Sequence, residues 1–104
     1  MSGYINLKKI IYLTTNYYKN ENDKIMVYSK RDVQTGNIVL IVINLDTENT
    51  QAGPINLDLS ALGKSFGASF MVHDQVDGQS YMWSRDNYVI LDPKDKVAHL
   101  FVVD

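Results

Sequence analysis

The sequence predicts an all-β protein, an antiparallel β-sandwich of about eight strands with Greek-key or meander connections. Three observations carry that expectation. Short apolar or alternating runs recur with turn signals about every 8 to 12 residues, and no long segment has helical periodicity. Residues 38–43 are six consecutive β-branched or aliphatic residues, followed by Asn44 and Asp46. Asp77-Gly78 stands between two strand-like runs and is the strongest hairpin signal in the chain.

Taken in order, residues 1–9 read as a leader or the remnant of a preceding element. Residues 10–15 are rich in β-branched and aromatic side chains and read as the first strand, with room to extend to Tyr18. The polar cluster 19–23 is a turn, since Asn and Asp bond readily to nearby backbone. Residues 24–30 alternate, with Ile25 and Val27 on one face and Met26, Tyr28 and Lys30 on the other. Gly36-Asn37 then leads into the central strand, 37–46.

On that strand Ile38, Leu40 and Val42 share one face, and Val39, Ile41 and Ile43 the other. Antiparallel sheets commonly leave one face wet. Here both faces are apolar, so both need cover, and Val39, Ile41 and Ile43 become the candidate packing face for another segment or domain.

Residues 53–57 read as a short strand, with Pro54 confining it to an edge or a strand opening. Residues 58–63 resemble one helical turn between a capping Asp58 and Gly63. Strands follow at 68–76, 79–84, 87–91 and 97–103, separated by Asp77-Gly78, Arg85-Asp86 and Asp92-Pro93. Residues 10–104 form a single domain on this reading.

Composition is ordinary for a soluble domain: 45% hydrophobic and 21% charged in 104 residues. The net charge of −2 argues against a nucleic-acid partner. Residues 1–31 carry six Lys/Arg against two Asp/Glu, and the remainder carries four against ten, but the N-terminal cations are scattered rather than clustered. With no cysteine, disulfides and thiol chemistry drop out. No run approaches the roughly 18 apolar residues of a membrane span, and the N-terminus lacks signal-peptide regions. A cytoplasmic location is the expectation.

Chemistry is sparse. Most of the twelve acids sit in turns, where Asp serves the backbone, and a carboxylate pair flanking a glycosidic bond is not indicated. His73 and His99 fall on separate strands with no Cys to help them, which does not suggest a metal site. His73-Asp74 cannot form a triad pair, because neighbours on a strand face opposite ways. Neither nucleotide-loop glycine spacing nor a Gly-x-Ser-x-Gly elbow is present, and no cofactor is expected.

Aromatic residues remain. Tyr81 and Trp83 lie two apart on one strand face, and Tyr88 opens the next strand. Rigid aromatic faces at such spacing can stack on sugar rings, which makes the three candidate carbohydrate-binding residues. The alternative is that Trp83, the only Trp, anchors the core or an interface. Tyr17-Tyr18 beside Lys19 is a weaker instance of the same choice.

Four blocks carry a family resemblance: residues 25–31 (Ile-Met-Val-Tyr-Ser-Lys-Arg), 39–46 (Val-Leu-Ile-Val-Ile-Asn-Leu-Asp), 72–83 (Val-His-Asp-Gln-Val-Asp-Gly-Gln-Ser-Tyr-Met-Trp) and 87–93 (Asn-Tyr-Val-Ile-Leu-Asp-Pro), the last followed by Ala98-His99. In this order they resemble the C-terminal β-domain of α-amylase-superfamily (glycoside hydrolase family 13) enzymes. Within that superfamily the maltosyltransferases are most alike, with trehalose synthases next. The resemblance covers about residues 10–103.

It implies a domain without catalytic residues, since in that family these belong to a preceding (β/α)8 barrel. Such a barrel needs around 250 residues. The implied partner is that catalytic barrel in the same polypeptide, packed on the second face of the central strand. The isolated domain is then expected to expose an apolar patch and to self-associate. The leading reading is a structural accessory module. An α-glucan-binding module and a free-standing interaction domain are the alternatives.

Overall fold

The computed structural model describes residues 13–104. The expected leader, 1–9, and the beginning of the expected first strand, 10–12, lie outside the described residues. Among the described residues there are eight strands: β1 (Leu13–Tyr18), β2 (Ile25–Asp32), β3 (Ile38–Asn44), β4 (Gln51–Asn56), β5 (Phe70–Asp74), β6 (Ser80–Trp83), β7 (Asp86–Leu91) and β8 (Ala98–Val103). They form two antiparallel sheets, one in the order β1-β2-β3-β8-β5-β6 and one of β4 with β7. The protein is an all-β, sandwich-like fold, as the turn spacing predicts. Among the described residues, no helix is long and apolar enough to cross a membrane.

The apolar run 38–43 sits where its composition demands. β3 is flanked by β2 and β8, with Leu40 opposite Ser29 and Phe101, and Val42 opposite Val27 and His99. The inward faces of the large sheet and of β4-β7 enclose the core. Leu40, Val42, Ile55, Val72 and Phe101 are completely buried there. Four buried polar side chains, Ser29, Asn44, Asp74 and His99, share that interior. Each has a hydrogen-bond partner: Tyr18 Oη is 2.7 Å from Ser29 Oγ, and Asn44 Nδ2 donates to the Leu91 carbonyl at 3.0 Å.

Strand limits differ from the sequence expectation in a few places, each for a local reason. The strand expected over 68–76 is confined to Phe70–Asp74, because Val76 N turns back to Asp74 Oδ1 at 3.0 Å. Gly78, at φ +76°, then supplies the left-handed residue that closes the β5-β6 hairpin. β4 begins at Gln51 and carries Pro54 mid-strand. This is tolerated because the Pro54 carbonyl points away from β7 and accepts from Asn20 Nδ2 at 2.6 Å, so the missing N–H falls on an unladdered side. Gly53 lies under the β1-β2 turn, where a Cβ would meet Asn20 Oδ1 at 3.3 Å. The segment 58–63 is a tight turn of successive i→i+3 bonds, such as Ala61 N to the Asp58 carbonyl at 3.1 Å.

Candidate functional site

Two surfaces of the sandwich have the chemistry to meet a partner. The first is the outer face of the six-stranded sheet. Strand alternation puts Val39, Ile41 and Ile43 there together, and the pairing register extends them sideways into rows. One row runs Tyr17, Tyr28, Ile41, Leu100; its neighbours run Met26, Ile43, Ala98 and Lys30, Val39, Val102. Tyr17 and Leu100 are exposed, while Val39 and Ile43 are half-buried. Ile41 is itself buried, with 9% of its surface exposed, between its ladder partners Tyr28 and Leu100. A shallow cleft of about 360 Å³ runs along the face, lined by Tyr28, Lys30, Val39, Ile41, Gln75, Leu100 and Val102. The sheet thus carries a continuous apolar strip on the side away from its own core.

The second surface is the open corner of the sandwich. β6 is an edge of the large sheet and β7 belongs to the small one. Between them lies a cleft of about 320 Å³. β6 contributes Tyr81 and Trp83, β7 contributes Tyr88 and Ile90, the β7-β8 turn contributes Asp95 and Lys96, and β8 contributes His99 and Phe101. The rings at its base are packed together: Trp83 meets Phe101 edge-to-face at 4.8 Å, and His99 stacks on Phe101 at 4.8 Å.

Beside that base is a buried ionic cluster. Asp74 Oδ2 lies 2.6 Å from His99 Nδ1 and 3.5 Å from Lys96 Nζ. Its Oδ1 accepts from the Val76 and Leu100 amides at 3.0 and 3.2 Å. Lys96 also pairs with Asp77, whose carboxylate accepts from Tyr81 Oη at 3.4 Å. Burial opposes ionisation of Asp74. The His99 hydrogen bond, the two amides and the His99 charge together outweigh it, so the carboxyl is held below its usual range.

The structure brings all three aromatic candidates to one cleft but on different terms. Trp83 is buried, with 7% of its surface exposed, and belongs to the core cluster. Tyr81 is partly buried against that core, whereas Tyr88 is 64% exposed. His99 is hydrogen-bonded in the interior, in line with its place in an apolar strand. His73 and Asp74 do face opposite ways.

Sequence reasoning missed two arrangements. One is the Asp74–Lys96–His99 cluster, whose available signal was parity: Asp74 shares the inward phase of Phe70 and Val72, and His99 that of Phe101 and Val103. The other is on the outer face, where His73 Nδ1 is 2.7 Å from Ser80 Oγ and its Nε2 2.9 Å from Asp104 Oδ2. This Ser-His-Asp line bridges β5, β6 and the segment after β8 in open solvent, and none of the clefts described here is lined by Ser80. Among the described residues no group of three or more His, Cys, Asp or Glu is placed to hold a metal ion.

Residues 17–103 match the model of the family described as GLGE, C-terminal. Several curated relatives are maltosyltransferases by name. The alpha-1,4-glucan:maltose-1-phosphate maltosyltransferase of Corynebacterium glutamicum is 47% identical over 88 residues, covering 85% of this chain and 13% of the relative. Maltosyltransferase 2 of Streptomyces coelicolor is 41% identical over 87 residues, 84% of this chain and 13% of its own length. The Mycobacterium tuberculosis enzyme is 36% identical over 87 residues, with 84% and 12% covered. The chain spans about an eighth of the length of these relatives.

Proposed function

Since this chain belongs to the GLGE C-terminal domain family, we propose that it is the non-catalytic accessory β-domain of a maltosyltransferase of the α-amylase superfamily. In this reading the outer face of the six-stranded sheet seats on the catalytic (β/α)8 barrel of the same polypeptide and stabilises it. The observation that carries the proposal is the apolar strip centred on Ile41. It lies on the sheet face turned away from the core cluster, and the relatives have nearly seven-eighths of their length outside the matched segment. Burying such a strip contributes about 25 cal/mol per Å² of apolar area removed from water. Left bare, the same strip is expected to drive self-association of the isolated domain.

The maltosyl donor and glucan acceptor in the relatives' enzyme name belong, on this proposal, to the barrel. A sugar platform centred on Trp83 has little ring face to offer, because the indole is packed on Phe101.

A chimera tests the reading. The 88-residue matching segment of the Corynebacterium glutamicum enzyme is replaced by this chain, and thermal inactivation is followed with and without Leu100→Lys, a substitution at an exposed position of the same row. The substitution should lower the inactivation temperature of the chimera and suppress self-association of the isolated chain. Equal inactivation of the two chimeras would sink the proposal.

A further inference from the structure

We infer that the cleft between β6 and β7 binds a neutral polyhydroxylated ligand, a pyranose unit of a saccharide chain, with Tyr88 as the stacking face and Asp95 as the hydroxyl acceptor. The cleft is a separate surface from the outer face of the large sheet, and its occupancy does not depend on what covers Ile41.

Four features fix the ligand class. The first is ring presentation. Tyr88 is 64% exposed beside a cleft whose other aromatic walls, Tyr81, Trp83 and Phe101, are held by packing. An exposed, flat, amphipathic ring at the rim of a packed apolar base suits the C–H face of a sugar.

The second is unspent hydrogen-bonding capacity. The acids around the cleft are already engaged: Asp74 by His99, Asp77 by Lys96, and Asp92 by the Lys94 amide. Asp95 differs, since its carboxylate has no hydrogen-bond or ion-pair partner among the described residues. The Tyr88 hydroxyl is likewise without one. A carboxylate accepts from two vicinal hydroxyls, as a sugar edge requires.

The third is charge. Lys96 is the cleft's lysine, and it is shared between Asp74 and Asp77. With Asp95 added, the surroundings are net negative, which disfavours phosphates and other anions and favours a neutral donor of hydroxyls. The fourth is size. At about 320 Å³ the cleft lies at the small end of ligand sites, which run from about 300 to 1,000 Å³. That matches one or two sugar rings rather than a long buried oligomer.

The test is amide-resolved NMR titration of this chain with maltoheptaose, with cellohexaose and with inorganic phosphate. Trp83 fluorescence serves as a parallel readout, since it has one source. Saturable shifts at Tyr88, Val89 and Asp95 and at the Trp83 indole are expected with an oligosaccharide, and the preferred glucan reports linkage selectivity. Tyr88→Ala and Asp95→Asn should each weaken binding at least tenfold while leaving the urea midpoint in place, since both side chains are exposed. Tyr88→Phe should retain most of the affinity. The inference is overturned by shifts confined to Val39 and Ile41, by phosphate competing at the cleft, by undiminished binding in Tyr88→Ala, or by no shift with either glucan.

Discussion

Asp74 Oδ2 and His99 Nδ1 are 2.6 Å apart inside the sandwich, where they fasten β5 to β8 diagonally across the inner face of the large sheet. The carboxylate is 1% exposed, and its other oxygen is bonded to two backbone amides. It therefore organises the β5-β6 hairpin and the start of β8 at once.

Removing that carboxylate leaves His99, Lys96 and two amides facing an empty site. Asp74→Ala should destabilise the domain by about 3–5 kcal/mol, the range for breaking a buried pair. Asp74→Asn keeps an acceptor for the amides and should lose distinctly less. Urea unfolding of the three proteins measures both, and an Asp74→Ala midpoint close to wild type would refute the role assigned to the cluster.

The same residue sets the response to acid. Its folded-state pKa lies below the ordinary 3.8, so the unfolded chain takes up the proton first as pH falls. The contribution is whole above that ordinary value and is lost as pH drops through the folded value. Asp46 acts in the same direction. Bonds from the Glu48 amide, the Asn49 and Gln51 side chains and the Asn49 amide bring it to about 2. Stability should stay level down to the ordinary carboxylate range and then decline, and Asp74→Asn should flatten the decline.

Asn44 is the corresponding tie between the sheets. Its Nδ2 reaches the Asn49 and Leu91 carbonyls, each at 3.0 Å, and its Oδ1 accepts from Asp46 N at 2.7 Å. Asn44→Leu should cost about 1–3 kcal/mol for each buried group it orphans. Hydrogen exchange should accelerate first in β7, where the Leu91 anchor is lost; a uniform acceleration would contradict this assignment.

Tyr18 tests the far edge of the sandwich. Burial raises its pKa above 10.0, opposed by the Ser29 hydrogen bond and helped by the Asp58 charge. Tyr18→Phe should remove a step above pH 10 from the tyrosine ultraviolet titration and destabilise by about 1 kcal/mol. An unchanged titration above pH 10 would show that Tyr18 is not the shielded ring.

Much of this architecture was legible because strands leave a two-residue signature. The run 38–43 announced a doubly apolar strand, and Asp77-Gly78 announced a hairpin that the positive φ of Gly78 makes concrete. The pairing order was not legible. Nothing in the sequence says that β8 inserts between β3 and β5, because that choice depends on contacts between residues some sixty positions apart in chain order. For the same reason Asp74, His99 and Lys96 could not be joined in advance. Tyr88 was legible as an aromatic but not as the exposed one, since exposure is decided by which sheet a short strand joins.

The position of β8 also governs how the domain comes off the ribosome. While residues after Leu91 are still in the exit tunnel, the β1-β2-β3 meander and the β5-β6 hairpin can each form, yet β3 and β5 both present bare backbone edges. The two halves become one sheet only when β8 emerges and slots between them. Closure therefore waits on β8, and a chain truncated after Leu91 would present two half-sheets with bare edges instead of a slightly shortened domain.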